Sequence, residues 1–274
     1  FIYPTNLKFV GFLYIKKFTF FYILTSILLL ATSSVVFMST GGTNFLLYSL
    51  LILLLYDADI DVILKTYVIV SGAIVLGVFV LSILGVIPNL QFAQVRSAGL
   101  VIRNSFGFIY PTDFASHCFY LFIAWGYILR KRLIVLRTLV GLSLSFFIIK
   151  FCDARLNALS VLLATVIFIL MYVTKERKFK IYGILPYSAA IFSFIMFYLT
   201  YFFTWSSPLF VSLNNLFSMR LFLGKNAIDT YDIHLFGTTG VKFIGYGGTT
   251  ESVYSYNFVD SSYIQMLFYY GVVP

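Results

Sequence analysis

The feature that most constrains this chain is a series of apolar runs, each close to the length that crosses a bilayer, separated by short polar or basic stretches. A spanning helix needs about 20 mostly apolar residues. Such windows fall near residues 18–38, 43–56, 66–88, 110–129, 133–151, 156–173 and 181–203, with a further one starting near 262. Composition agrees, because 61% of the 274 residues are hydrophobic and 11% charged, against roughly 45–50% and 25% in soluble domains. The expected fold is all-α, a polytopic transmembrane helix bundle of about eight spans forming one integral membrane domain over residues 1–274. Starting at Phe1 and ending inside an apolar run, the chain reads as a fragment cut at both ends, with its last span truncated and no cleavable signal peptide.

The net charge of +9 follows topology. The basic residues flank apolar runs, and no soluble patch of interleaved aromatics is present to bind bases, so nucleic acid is not an expected partner. Lys and Arg beside spans are retained on the cytoplasmic side. With the N-terminus inside, "LKFVGFLYIKK", "RKRLIVLR", "KERKFK" and Lys65 all fall on that side. Seven other basic residues, Arg96, Arg103, Lys150, Arg155, Arg220, Lys225 and Lys242, are then placed in or near outer loops at about 89–109, 152–155 and 204–261. The outer face is therefore where chemistry is expected.

Three clusters stand out there. Arg96 and Arg103, seven residues apart, would share one face if the segment were helical and form an anion clamp. Arginine's planar fork of donors suits phosphate oxygens, and contact with lipid headgroups is the plain alternative. Gly107 and Pro111 mark the break into the next span, and Asp113 and His117 would share a helix face just inside it. Asp153 and Arg155 occupy a tight reversal, where a local pair with Asp153 as helix N-cap is the simpler role. The long loop carries Arg220, Lys225, Asp229, Asp232 and His234, and it re-enters the membrane at Asp260, Ser261, Ser262 and Tyr263. A carboxylate at that position can act as a base toward a hydroxyl or cap the last helix. Tyrosines and Trp205 near the outer boundary are placed to form an aromatic belt.

Several chemistries are unsupported. HExxH, P-loop, GxSxG and protein-kinase motifs are absent from the sequence. Cys118 and Cys152 lack the spacing of a metal or redox pair, and the acidic "DADID" falls on the inner side, so neither a metal nor another cofactor is expected.

Taken in order, these residues resemble the Wzy-type polysaccharide polymerases of bacteria, within the O-antigen polymerase and ligase superfamily. The resemblance covers roughly residues 60 to 274. It rests on Arg103, Gly107, Phe108, Tyr110 and Pro111, on Asp153 and Arg155, on "RLFLGKNAIDTYDIHLFG" from Arg220 to Gly237, and on "VDSSYIQMLFYYG" with Asp260, Tyr263 and Gly271. Arg96 precedes Gly107 by a spacing like one found in some polymerases, whereas the interval from Arg220 to Gly237 matches the companion motif only approximately. Ligases usually carry His-Asn where this chain has Asp260-Ser261.

The resemblance implies a GT-C-like glycosyltransferase in the bacterial cytoplasmic membrane that joins undecaprenyl-pyrophosphate-linked oligosaccharide repeats on the outer face without a metal. Arg96, Arg103, Arg155 and Arg220 would stabilise the departing lipid pyrophosphate. Asp260, then His234, would activate the attacking hydroxyl, while Asp153, Gly107, Pro111 and Tyr263 hold the site in shape. The lipid bilayer, a flippase and a chain-length regulator are the implied partners. The alternatives are a ligase-like transferase or a flippase or secondary transporter for the same lipid-linked glycan. Such transporters often show repeated halves, and no internal repeat is visible here.

Overall fold

A computed structural model describes residues 20–56, 58–96, 99–130, 133–174, 181–217, 219–245 and 256–274. Lys8, Lys16, Lys17, Asp57, Lys131, Arg132, the basic stretch at 175–180 and the stretch 246–255 lie outside the described residues. The chain is mostly helical. Among the described residues, four helices are long and apolar enough to cross a membrane: Phe20–Thr40, Ile60–Ile83, Ile134–Cys152 and Arg155–Val173. Apolar helices at Asn44–Leu55 and Ala190–Tyr201 are shorter. Helices fit such segments because lipid offers the backbone no hydrogen-bond partner, so every amide must be satisfied within the segment.

The chain divides into two compact units. The first gathers residues 59–184, 245 and 256 of the described chain. Here α3 (Ile60–Ile83) leads into a two-stranded hairpin, β1 (Gln91–Arg96) and β2 (Gly99–Asn104). Next come α4 (Pro111–Ile128), α5 (Ile134–Phe147), which continues as a π-helical turn at Ile148–Cys152, and α6 (Arg155–Val173). Asp59 caps α3 by accepting from the Asp61 amide at 2.8 Å. The Asp61 carboxylate takes both terminal nitrogens of Arg130, at 3.1 and 3.2 Å, a bidentate pair that ties the start of α3 to the end of α4. Arg137 is buried near the start of α5 and donates to the carbonyls of Gly126 and Arg130, which α4 leaves open at its end.

Helices approach closely here through small residues, as expected where lipid removes the hydrophobic drive between them. A Cβ at Gly141 would collide with Thr165, and one at Gly126 with the ring of Phe168. The core around Phe114, Phe122, Ile148, Cys152 and Ala158 also takes in Phe79, Phe106 and Phe147.

The second unit gathers residues 20–58, 185–244 and 257–274 of the described chain. It holds α1 (Phe20–Thr40), α2 (Asn44–Leu55), most of α7 (Ile181–Tyr201), α8 (Pro208–Leu216), α9 (Arg220–Tyr231) and α10 (Ser262–Tyr269). Sequence reading takes 204–261 as a loop, whereas α8 and α9 lie within it. Pro208 stands at the first turn of α8, where its missing N–H removes nothing. Asn214 is fully buried, and its side-chain oxygen accepts from the Phe222 amide at 3.0 Å, which caps α9 from α8.

Candidate functional site

In the first unit the arginines expected to clamp an anion have a different geometry. Arg103 stands opposite Phe92 and Arg96 opposite Gly99 in the antiparallel register. They are on separate strands of a hairpin, four rungs apart and so separated by roughly 13 Å along it. The expected shared helix face does not exist. The sequence signals this hairpin only weakly: the two runs are separated by two residues, but these are Ser97 and Ala98, outside the pairs that favour a tight hairpin turn.

Arg103 straps this hairpin to the end of α5. Its Nε donates to the Cys152 carbonyl at 3.0 Å and one terminal nitrogen to Gln94 Oε1 at 3.2 Å. The Asn104 amide adds a bond to the Phe151 carbonyl at 3.1 Å. These two carbonyls belong to the π-helical turn, whose wider winding leaves them open to a side chain from outside the helix. The turn ends on Asp153, which adopts a left-handed conformation (φ 44°). Ala154, and not Asp153, occupies the N-cap of α6. Asp153 is nevertheless buried and accepts from Arg155 Nε at 3.1 Å, while most of the Arg155 side chain remains exposed. The Asp–Arg pair read from the sequence is present, and the cap is not.

Gly107 and Pro111 have structural reasons to be where they are. At Gly107 φ is +85°, and a Cβ would lie 2.8 Å from Val78 Cγ1. Pro111 opens α4 at its first turn, and Asp113 closes a capping box by accepting from the Tyr110 amide at 3.2 Å. His117 is exposed, its ring 5.3 Å from that of Phe108.

The second unit holds the remaining candidates. Arg220 is the first residue of α9 and is partly buried. Its Nε is closed off from solvent without a hydrogen-bond partner among the described residues. Asp260 precedes α10, whose N-cap is Ser261, so the carboxylate does not occupy the expected capping position. Burial pushes the Asp260 carboxyl above its usual value of 3.8, and the positive charge of Arg220 pulls it back. Arg220 is thus near enough for its charge to act on the carboxyl, while Asp260 as a residue stands exposed.

Tyr263 packs edge-on against Phe192, with ring centroids 6.2 Å apart and planes at 90°. Trp205 contacts Phe203 and Phe222 at 5.2 and 5.4 Å. Lys225 pairs with Asp229 one turn along α9 at 2.8 Å. His234 is exposed, and its carbonyl accepts from the Val272 amide at 3.3 Å.

That last bond belongs to a tight stitch between the segment after α9 and the end of α10. Thr238 donates its amide to the Phe268 carbonyl at 2.7 Å, and Val273 donates to the Leu235 carbonyl at 3.1 Å. Gly237 and Gly271 meet inside it with φ of +87° and +96°. A Cβ on Gly271 would overlap the Leu235 carbonyl oxygen, and one on Gly237 would lie 2.8 Å from the Tyr269 oxygen. Sequence reasoning singles out Gly271 only as part of a motif, without the backbone contact that demands it.

Among the described residues, no group of three His, Cys, Asp or Glu side chains gathers as metal ligands would. Comparison with known proteins returns no match to a protein-family model, a curated protein or a solved structure.

Proposed function

We propose that this chain is the membrane core of a polysaccharide polymerase that joins lipid-pyrophosphate-linked oligosaccharides on the outer face of a bacterial cytoplasmic membrane. The observation that carries the reading is Arg220, whose buried Nε has no hydrogen-bond partner among the described residues and whose charge reaches the carboxyl of Asp260, an exposed residue whose carboxyl desolvation nevertheless raises. Transfer requires charge to be stabilised on a departing pyrophosphate and a proton to be taken from a sugar hydroxyl. An arginine with an unused donor supplies the first requirement. A carboxylate whose proton affinity has been raised is a better base than an ordinary aspartate and supplies the second.

In this reading the Asp260 oxygen accepts the proton as the acceptor hydroxyl attacks the anomeric carbon. The bond to the pyrophosphate breaks as the new one forms, which inverts the configuration. The lipid pyrophosphate leaves against Arg220. In the first unit, and as a separate matter, Arg155 is exposed beside Asp153 and open to a phosphate, whereas Arg103 is engaged by the Cys152 carbonyl. His234, exposed on the stitch, is the weaker candidate for proton transfer.

The test uses the full-length parent in a strain lacking its own polymerase. Surface glycan length is compared for wild type, Arg220→Ala and Arg220→Lys at matched membrane abundance. Loss of long chains by about 100-fold or more, with single repeats still reaching the surface, supports the polymerase. Single repeats trapped on the inner leaflet would instead identify a transporter and end this reading.

A further inference from the structure

The unit that carries Arg220 also contains a cleft of about 260 Å³ that the proposed reaction leaves unused. Its walls come from Thr40 at the end of α1, Asn44 at the start of α2, Thr238 and Gly240 after α9, and Tyr269 and Tyr270 at the end of α10. No lining residue is charged. A phosphate or carboxylate entering here would lose hydration without gaining a countercharge. The cleft is therefore a poor anion site and differs in kind from the spot at Arg220.

The walls offer neutral hydrogen-bonding groups. Thr40 and Thr238 donate their hydroxyl protons to the carbonyls of Val36 and Asp232, at 2.9 and 3.2 Å; the Thr40 oxygen also accepts from the Gly42 amide at 3.2 Å, which leaves each hydroxyl able to accept from a ligand. The Asn44 amide is exposed and makes no side-chain hydrogen bond among the described residues. It can both donate and accept. The two tyrosine rings are braced from behind. Tyr270 stacks on Phe45 at 5.0 Å and 28°, and Tyr269 meets Phe243 edge-on at 5.8 Å and 76°. A Cβ built on Gly240, which is exposed, would meet open space.

A ligand suited to such walls has a rim of groups that both donate and accept, an apolar face for an aromatic ring, and no charge. We infer that the cleft binds a single uncharged pyranose ring. Its volume corresponds to that of roughly nine waters at about 30 Å³ each, and it falls below the ~300 Å³ at which pockets begin to hold drug-sized ligands. One ring fits and an oligosaccharide does not, so any further sugars would extend out of the cleft. The inference rests on the polymerase reading only in taking that ring to belong to the lipid-linked glycan.

The test is saturation-transfer NMR on the full-length protein in nanodiscs. The probes are methyl glucopyranoside, methyl rhamnopyranoside and N-acetylglucosamine at millimolar concentration, with glucose 1-phosphate as the anionic control. Transfer is expected to the ring protons of at least one neutral probe and not to the control. Asn44→Trp, which plugs the cleft from an exposed position, should reduce it several-fold. Tyr269→Phe, which removes only a hydroxyl, should weaken it. Arg220→Ala should leave it intact.

Absence of transfer to every neutral probe overturns the inference. So does a signal undiminished in both cleft variants, and Tyr269→Phe decides alone if Asn44→Trp does not fold. Polymerisation that depends on Arg220 without sugar binding would sink the cleft and leave the function standing. Sugar binding without polymerisation would do the reverse.

Discussion

The two units use arginine in opposite ways. In the unit built on Asp59–Ile184, Arg103, Arg130, Arg137 and Arg155 each donate to a carbonyl or a carboxylate of the same unit. They close helix ends and strap the hairpin to the π-helical turn. In the other unit, Arg220 heads α9 with a buried nitrogen that is unsatisfied among the described residues, and its charge acts on the exposed Asp260, whose carboxyl desolvation raises. The same residue type thus fastens elements together in one unit and, at Arg220, keeps a donor unengaged among the described residues in the other. What distinguishes the two uses is whether the donors are already engaged, which a count of positive charges does not reveal.

The sharpest way to break this contrast is Asp260→Asn. Loss of a general base removes on the order of 100-fold or more of the transfer rate, read as loss of long glycan chains. Stability should move differently. A carboxyl whose folded pKa is raised contributes stability that is present below its unfolded value and lost as pH rises through the folded value. At neutral pH the charged Asp260 therefore contributes nothing to stability, and the asparagine variant should unfold no earlier than the parent. The acid limb of the wild-type activity profile should also lie above that of an ordinary aspartate. Early unfolding of Asp260→Asn at neutral pH would assign the carboxylate a structural role and remove the contrast.

Next in size is Gly271→Ala. A Cβ forced into the Leu235 carbonyl at a left-handed backbone position should cost about 3 kcal/mol, measured as a lower midpoint of thermal unfolding in detergent. Arg103→Ala should cost about 2 kcal/mol through the lost charge-assisted bonds, with hydrogen exchange rising in β2 and at Phe151–Cys152. A loss of transfer at unchanged stability would move Arg103 from the fastening set to the open one. The smallest effect is expected on the stability of Arg155→Ala. Its pair with Asp153 is mostly exposed on the arginine side, and such pairs contribute about 0.5 kcal/mol. If chain length nevertheless collapses in this variant, Arg155 serves a ligand as well as its neighbour.

The helices of the membrane region were legible in the sequence because lipid enforces them. The apolar windows near 18–38, 133–151 and 156–173 anticipate α1, α5 with its π-helical turn, and α6 to within a few residues. Outside lipid the backbone has other options, and there the reading falls short. Tertiary contact turned 91–104 into a hairpin, and the stretch taken as one long loop contains α8 and α9, although Ser207-Pro208 marks a helix start. The site was legible as a set of residues and not as a geometry. Asp153 and Arg155 do pair, but Arg103 is engaged by carbonyls freed in a π-helical turn that no spacing rule announces. Asp113 turned out to be part of a capping box. The cleft was not anticipated, since Thr40, Asn44, Thr238 and Tyr269 are brought together only by the fold.

The stitch at Gly237 and Gly271 also bears on how sequences related to this one can vary. Each glycine faces backbone, so a side chain at one position has no room to be accommodated by a change at the other. Any chain that keeps this crossing must keep both glycines together, however far the rest of its sequence has drifted. Two glycines at that interval, one after a short polar helix and one at the end of the next apolar run, form a search pattern for kin that overall likeness would miss.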